Sequence, residues 1–205
     1  HTSTIVHPPM DLQTQESNHW YAQWFDSSFY HLLYAQRDQA EANAFMDALL
    51  ALLTPAATAH ILDLACGKGR HSQALNARGY RVTGLDLSEQ SIRHAKQFES
   101  DTLHFDVHDM REVYRPNTFD LVASLFTSFG YFDDPADDQR VITSVAESLT
   151  PNGRFVLDFM NAPFVMKALV PSETKDCGAV QFKIERSVIN GMIVKDIHFT
   201  TEGRK

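Results

Sequence analysis

Between residues 61 and 160, short apolar runs alternate with stretches of helical periodicity, and no other feature of the chain narrows its fold as far. Apolar runs at 61–65, 81–87, 102–107, 119–125 and 154–160 have strand length, and helical patterns at 70–78, 88–98 and 136–149 lie among them. Such continuous apolar strands are buried on both faces and need helices to cover them, so they run parallel through right-handed crossovers. The punctuation agrees. Gly79 is placed to end the first helix, Ser88 caps the second with Glu89 in its first turn, and Pro151-Asn152-Gly153 reads as a turn before the fifth strand. The fold class this implies is α/β, a doubly wound, mostly parallel sheet.

The flanks read differently. Residues 20–53 are helical, first with an aromatic stretch (Trp20, Trp24, Phe25, Tyr30, Leu33, Tyr34), then with Ala42, Phe45, Met46, Leu49, Leu50 and Leu53 at amphipathic spacing, until Pro55 ends the run. Near the other end, β-rich runs at 180–189 and 192–201 flank Asn190-Gly191, a strong signal for a two-residue hairpin. That loop sets Val188 opposite Ile193, Ile184 opposite Ile197, Phe182 opposite Phe199, and Arg186 opposite Lys195. The expected organisation is therefore a disordered or appended lead at 1–9, an N-terminal helical lid at 10–56, a Rossmann-like core at 57–162, and a connecting helix with an antiparallel hairpin at 163–205.

Composition excludes several classes. A length of 205 residues with 43% apolar and 21% charged residues suits one folded α/β domain with a small appendage. A formal charge of −8 argues against a nucleic-acid backbone as partner. Cys66 and Cys177 lack metal-ligand spacing and fit a reducing cytoplasm. No run has the length of a membrane span. A small-molecule partner, and a monomer or homodimer, are the expectation.

The chemistry concentrates at strand ends. Asp63, Ala65, Gly67 and Gly69 form a turn of small residues between a strand and a helix, where a ligand can approach the backbone closely. The dinucleotide fingerprint of an oxidoreductase fails here, because Arg70 stands at its third glycine position. Asp86 ends the second strand, where a carboxylate can accept both ribose hydroxyls of an adenosine, with Leu87 beside it. Asp109 and Met110 follow the third strand and are suited to an adenine edge. His104, Asp106 and His108 share one strand face, but a metal site is not the preferred reading of them.

The segments D-L-A-C-G-K-G at 63–69, G-L-D-L-S at 84–88, H-D-M-R at 108–111 and F-D-L-V-A-S-L-F-T-S-F-G-Y-F-D at 119–133, in this order, resemble class I S-adenosylmethionine-dependent methyltransferases. Within that family the chain is similar to small bacterial enzymes of unassigned substrate and, more distantly, to glycine and sarcosine N-methyltransferases. The resemblance implies S-adenosylmethionine as cofactor and S-adenosylhomocysteine as product. It implies that Asp63, Ala65, Gly67 and Gly69 hold the methionine part, Asp86 and Leu87 the ribose and adenine, and Asp109 and Met110 the adenine edge. Leu125 and Phe126 would close over the methyl, and Arg37 would grip the cofactor's carboxylate in a bidentate way.

The implied reaction is methyl transfer to nitrogen or oxygen of a small acceptor such as an amine or a carboxylate-bearing metabolite. Ser124-Leu125-Phe126-Thr127 departs from the Asn/Asp-Pro-Pro-aromatic form that orients DNA bases or glutamine, which points away from those substrates. The family usually adds two more strands, so further C-terminal strands are expected beyond Lys205. A non-catalytic cofactor-binding module is the alternative that this ending suggests. No catalytic base is evident; Tyr131 and His108 are the candidates, and Phe126, Phe129, Tyr131 and Phe132 would keep the site dry. Tyr21, Tyr30 and Tyr34 are candidate lid contacts to substrate. The like-charge pair Arg186 and Lys195 hints at an acidic substrate, unless nearby carboxylates such as Glu185 or Asp196, or solvent, neutralise it.

Overall fold

The computed structural model describes residues 4–7, 20–35 and 39–201. In chain order the first elements are β1 (Thr4–His7), α1 (Trp20–Phe25), α2 (Ser28–Leu33) and α3 (Gln39–Leu53). The alternating region contributes β2 (His60–Leu64), α4 (Arg70–Asn76), β3 (Arg81–Asp86), α5 (Glu89–Ala95), β4 (Leu103–Val107), β5 (Phe119–Ser124), α6 (Pro135–Ser148) and β6 (Leu149–Leu157). The remainder is α7 (Ala162–Lys167), β7 (Ser172–Cys177), β8 (Val180–Ile189) and β9 (Met192–Thr201). The chain divides into two compact units, one of residues Arg37–Phe159 and one joining His1–Gln36 to Met160–Lys205.

In the first of these units five strands lie in the order β4-β3-β2-β5-β6, every neighbouring pair parallel. The chain winds outward from β2 through β3 to β4, then returns to β5 and β6 on the other side. The order therefore reverses between β2 and β5, the place where open α/β sheets bind ligands at the carboxyl ends of their strands. Every residue of β2 is buried, as a central strand with both faces covered requires. One apolar layer gathers Met46, Ile61, Leu75, Val82, Ile92, Phe105 and Leu121, and a second gathers Leu62, Leu64, Leu85, Phe119, Val122, Val141 and Val145. Ser88 caps α5 as expected, its hydroxyl accepting the Ser91 amide at 3.0 Å. Pro151-Asn152-Gly153 is not a turn ahead of the fifth strand. It lies inside β6, at a register shift between the pairs Leu149–Phe119 and Arg154–Leu121, with Asn152 at φ 70°.

The other unit is a four-stranded sheet, β1-β9-β8-β7, backed by aromatic helices. The expected hairpin register holds at all four pairs, Arg186 opposite Lys195 included. Two expectations change. Residues 1–9 are not wholly disordered: Thr4–His7 pair in parallel with Ile193 to Asp196 of β9, completing an edge that would otherwise be open. The described residues of 10–56 do not form one lid either. Helices α1 and α2 pack on the sheet, with Trp24 and Leu33 buried among Val180, Phe182, Ile184 and Ile197, whereas α3 belongs with the parallel sheet. Within the first pair, Ser27 separates α1 from α2: its hydroxyl caps α2 by accepting the Tyr30 amide at 3.1 Å. β7, part of the expected connecting region, is a strand antiparallel to β8.

Candidate functional site

The loop after β2 is built around left-handed backbone. Ala65, Gly67 and Gly69 have φ of 63°, 56° and 78°. A Cβ on Gly69 would stand 2.6 Å from two carbons of the Phe105 ring, and one on Gly84 would stand 2.5 Å from the same ring and 2.9 Å from Cys66 Sγ. Phe105 thus lies under both glycines and lets β3 and the loop approach each other. Gly67 differs: a Cβ there would meet nothing within 4 Å, so its backbone faces open space.

Asp86, at the end of β3, is fixed by that loop. One carboxylate oxygen accepts the Gly67 amide and the other the Ser88 amide, each at 2.8 Å. Beside it Leu87 is 39% exposed, an apolar side chain left for a ligand to cover. Across the switch point, Ser124 pairs in register with Leu64, and its hydroxyl, 1% exposed, has no hydrogen-bond partner among the described residues. A carboxylate for a diol, open backbone at Gly67, an apolar shelf and a spare buried hydroxyl together fit an adenosine-bearing cofactor with a polar tail.

Other sequence candidates take more specific places. Asp63 is 1% exposed and accepts the Ser72 hydroxyl at 2.6 Å, tying β2 to α4 beneath the loop. Burial raises its carboxyl to about 6, and Asp86 adds to the rise while the Ser72 hydrogen bonds oppose it. Cys66 is buried, and desolvation holds its thiol well above the ordinary value, as suits a space-filling residue. Burial also pushes the Asp109 carboxyl up, but Arg111 outweighs it and holds that carboxyl below its usual range. Arg111 Nε and Nη2 donate to Asp109 at 3.0 and 2.6 Å, and Nη1 donates to Asp137 on α6 at 2.7 Å. Met110, like Tyr114, Phe129 and Phe132, packs against the layer that holds Leu64, Leu85 and Val122. His108 Nε2 lies 2.8 Å from the Glu112 carbonyl oxygen, and the Tyr114 hydroxyl and Lys96 both reach Asp106. Leu125, only 3% exposed, is part of the core. Arg37 lies outside the described residues.

Phe126 and Thr127, just after β5, both have left-handed backbone, φ 58° and 60°. The Phe126 ring stacks on His71 with centroids 4.8 Å apart, meets Phe45 at 5.4 Å and lies 4.6 Å from the Arg70 guanidinium carbon. The turn after β5 therefore rests on the first turn of α4. Ser124, Gly84, Phe105 and Asp158 complete this region without having been singled out as site residues. Asp158 had a signal, since it is an acid directly after an apolar run, as Asp86 ends its own.

Tyr21, Tyr30, Tyr34, Arg186 and Lys195 all belong to the antiparallel unit. Tyr21 is buried, and Tyr30 meets Trp24, Phe25 and Tyr34 at ring separations of 5.9, 5.0 and 5.0 Å. The like-charge pair does not need a substrate anion. Arg186 is bound by Glu173 of β7 and donates to the Val170 carbonyl, while Lys195 Nζ donates to the Tyr34 hydroxyl. Glu173, not Glu185 or Asp196, is the neutralising acid, and it escaped notice with β7.

Residues 61–153 match the family model described as a methyltransferase domain. The chain is 31% identical over 178 residues to dTDP-3-amino-3,4,6-trideoxy-alpha-D-glucopyranose N,N-dimethyltransferase of Streptomyces venezuelae, covering 83% of this chain and 73% of that one. It spans less than half the length of other curated relatives, among them a putative methyltransferase of Bacillus subtilis at 35% identity. Among solved structures it is similar to an S-adenosylmethionine-dependent methyltransferase from Clostridium acetobutylicum (TM-score 0.67, 21% identity, 86% of this chain and 73% of that one). It is also similar to DesVI of Streptomyces venezuelae (TM-score 0.62, 25% identity, 93% and 80%). The chain belongs to the class I S-adenosylmethionine-dependent methyltransferases.

Proposed function

We propose that the chain transfers a methyl group from S-adenosylmethionine to nitrogen, or alternatively oxygen, of a small-molecule acceptor. The observation that carries this reading is Asp86, held by the Gly67 and Ser88 amides at the carboxyl end of β3. In this reading Asp86 takes the ribose hydroxyls and Leu87 the adenine face. Gly67 and Ala65 offer backbone to the methionine part, and Arg37 binds its carboxylate. When bound, the cofactor supplies a methyl made electrophilic by its sulfonium.

The protein's share is alignment and exclusion of water. Asp63 acts from below, keeping the loop on α4, and Arg111 orients Asp109 toward the adenine edge. An amine that arrives neutral needs no base. Where a proton must be removed, Tyr131 and His108 are the candidates, and His108 would act through Nδ1 because Nε2 is engaged by the Glu112 carbonyl. Tyr30 and Tyr34 are proposed as acceptor contacts, so their Phe variants should alter acceptor KM and leave cofactor affinity unchanged. The Streptomyces relative's name places an amino sugar first among acceptors to try. The test is an acceptor screen of amino sugars linked to nucleoside diphosphates, other small amines and small acids, read by mass spectrometry. Methylated product with S-adenosylhomocysteine supports the reading. Cofactor binding without turnover of any acceptor class would instead favour a non-catalytic module.

A further inference from the structure

The turn at Phe126 and Thr127 has no local reason to exist. Neither residue is glycine, Thr127 is β-branched, and both adopt a backbone region that is costly for such side chains. Something outside the turn holds it. The Phe126 amide donates to Asp158 Oδ2 at 2.9 Å, the Thr127 amide donates to the Asp158 carbonyl at 3.2 Å, and the Asp158 amide donates to the Ser124 carbonyl at 2.9 Å. The Ser128 hydroxyl closes the far side on the Leu125 carbonyl at 2.8 Å. One residue at the end of β6 thus ties down three positions around the end of β5. The ring so placed lies on Arg70 and His71, directly after the glycine loop.

We infer that Asp158 is a positioning residue for methyl transfer: it holds the strained Phe126–Thr127 turn, and through it the Phe126 ring, against the cofactor loop. The inference rests on the cofactor reading of that loop. Only the acceptor capacity of the Asp158 side chain is required, so asparagine should serve in its place and alanine should not. Glycine at position 127 removes part of the strain and should restore what alanine loses.

The experiment compares wild type, Asp158→Asn, Asp158→Ala and the double variant Asp158→Ala with Thr127→Gly, after thermal melts show each to be folded. Amide hydrogen exchange at Phe126 and Thr127 is read without ligand, and S-adenosylhomocysteine affinity by calorimetry. Expected in Asp158→Ala are faster exchange at both amides and roughly tenfold weaker binding, the scale of one lost hydrogen bond to a charged group. Asp158→Asn should stay within about twofold of wild type on that scale, and the double variant should recover most of the loss. Unchanged exchange and affinity in Asp158→Ala would overturn the inference, as would an Asp158→Asn variant as weak as Asp158→Ala. If wild type itself binds no cofactor, the cofactor reading fails, while exchange at Phe126 still decides whether Asp158 holds the turn. If Asp158→Ala is too unstable to study, Asp158→Leu, which fills the space but accepts no hydrogen bond, takes its place with the same expected and overturning results.

Discussion

The parallel unit and the antiparallel unit are held together by different means. In the first, backbone does the selecting: glycines at 69 and 84 exist because Phe105 leaves no room for a Cβ, and Asp86 is held by main-chain amides. In the second, side chains select: Trp24, Leu33, Phe182, Ile184 and Ile197 fill an apolar cluster, and Phe29 stacks on Phe199 at 4.0 Å. Backbone geometry tolerates little variation, so the parallel unit announces its ligand. An apolar cluster accepts many side chains of similar volume, so the antiparallel unit announces only that it is packed.

Two truncations separate these modes with the largest expected effects. Phe105→Ala and Phe182→Ala each remove a fully buried ring, and each should lower stability by about 3–5 kcal/mol in urea unfolding. Only Phe105→Ala should also abolish S-adenosylhomocysteine binding, because it empties the floor under Gly69 and Gly84. Equal losses of binding in both variants would break the distinction. Adding atoms is the converse test. Gly84→Ala should cost about 1–3 kcal/mol and weaken the cofactor, since its Cβ would meet the Phe105 ring and Cys66 Sγ.

A pH experiment sharpens the account of Asp63. Its carboxyl is raised from 3.8 to about 6 in the folded protein, so folding binds a proton more tightly than the unfolded chain does. The stability this confers is complete below about pH 4 and is lost as pH rises through about 6, a swing of about 3 kcal/mol at most. Asp63→Asn cannot titrate there. The stability of wild type relative to Asp63→Asn should therefore fall between these pH values, and a flat difference would show that Asp63 is not a desolvated acid. The smallest effect belongs to the antiparallel unit. Glu173→Gln leaves Arg186 facing Lys195 without its neutralising partner, at a cost of about 0.2–1 kcal/mol that a further Lys195→Gln change should remove.

Where one residue or one short pattern decides the structure, the sequence was enough. Asn190-Gly191 sets the hairpin register, and runs such as Ile61-Leu62 and Val82 mark buried strands between helices. It was less informative where pairing partners decide. β7 is Ser-Glu-Thr-Lys-Asp-Cys, polar throughout, and becomes a strand because β8 offers its edge. β6 begins earlier than its apolar run because Leu149 pairs with Phe119 ahead of the register shift. At the site, Asp86 was visible as an acid closing an apolar strand, whereas the burial of Asp63 and Leu125 depends on what α4 and the core place over them. Phe105 reads as one more apolar strand residue until its ring is found beneath two glycines.

The most direct test of the central claim is a calorimetric titration of S-adenosylmethionine and S-adenosylhomocysteine into wild type and Asp86→Ala. The account predicts micromolar binding by wild type and a loss of at least roughly a hundredfold in the variant, the scale of removing a charged acceptor from two hydroxyls. Undiminished binding by a folded Asp86→Ala protein would contradict it.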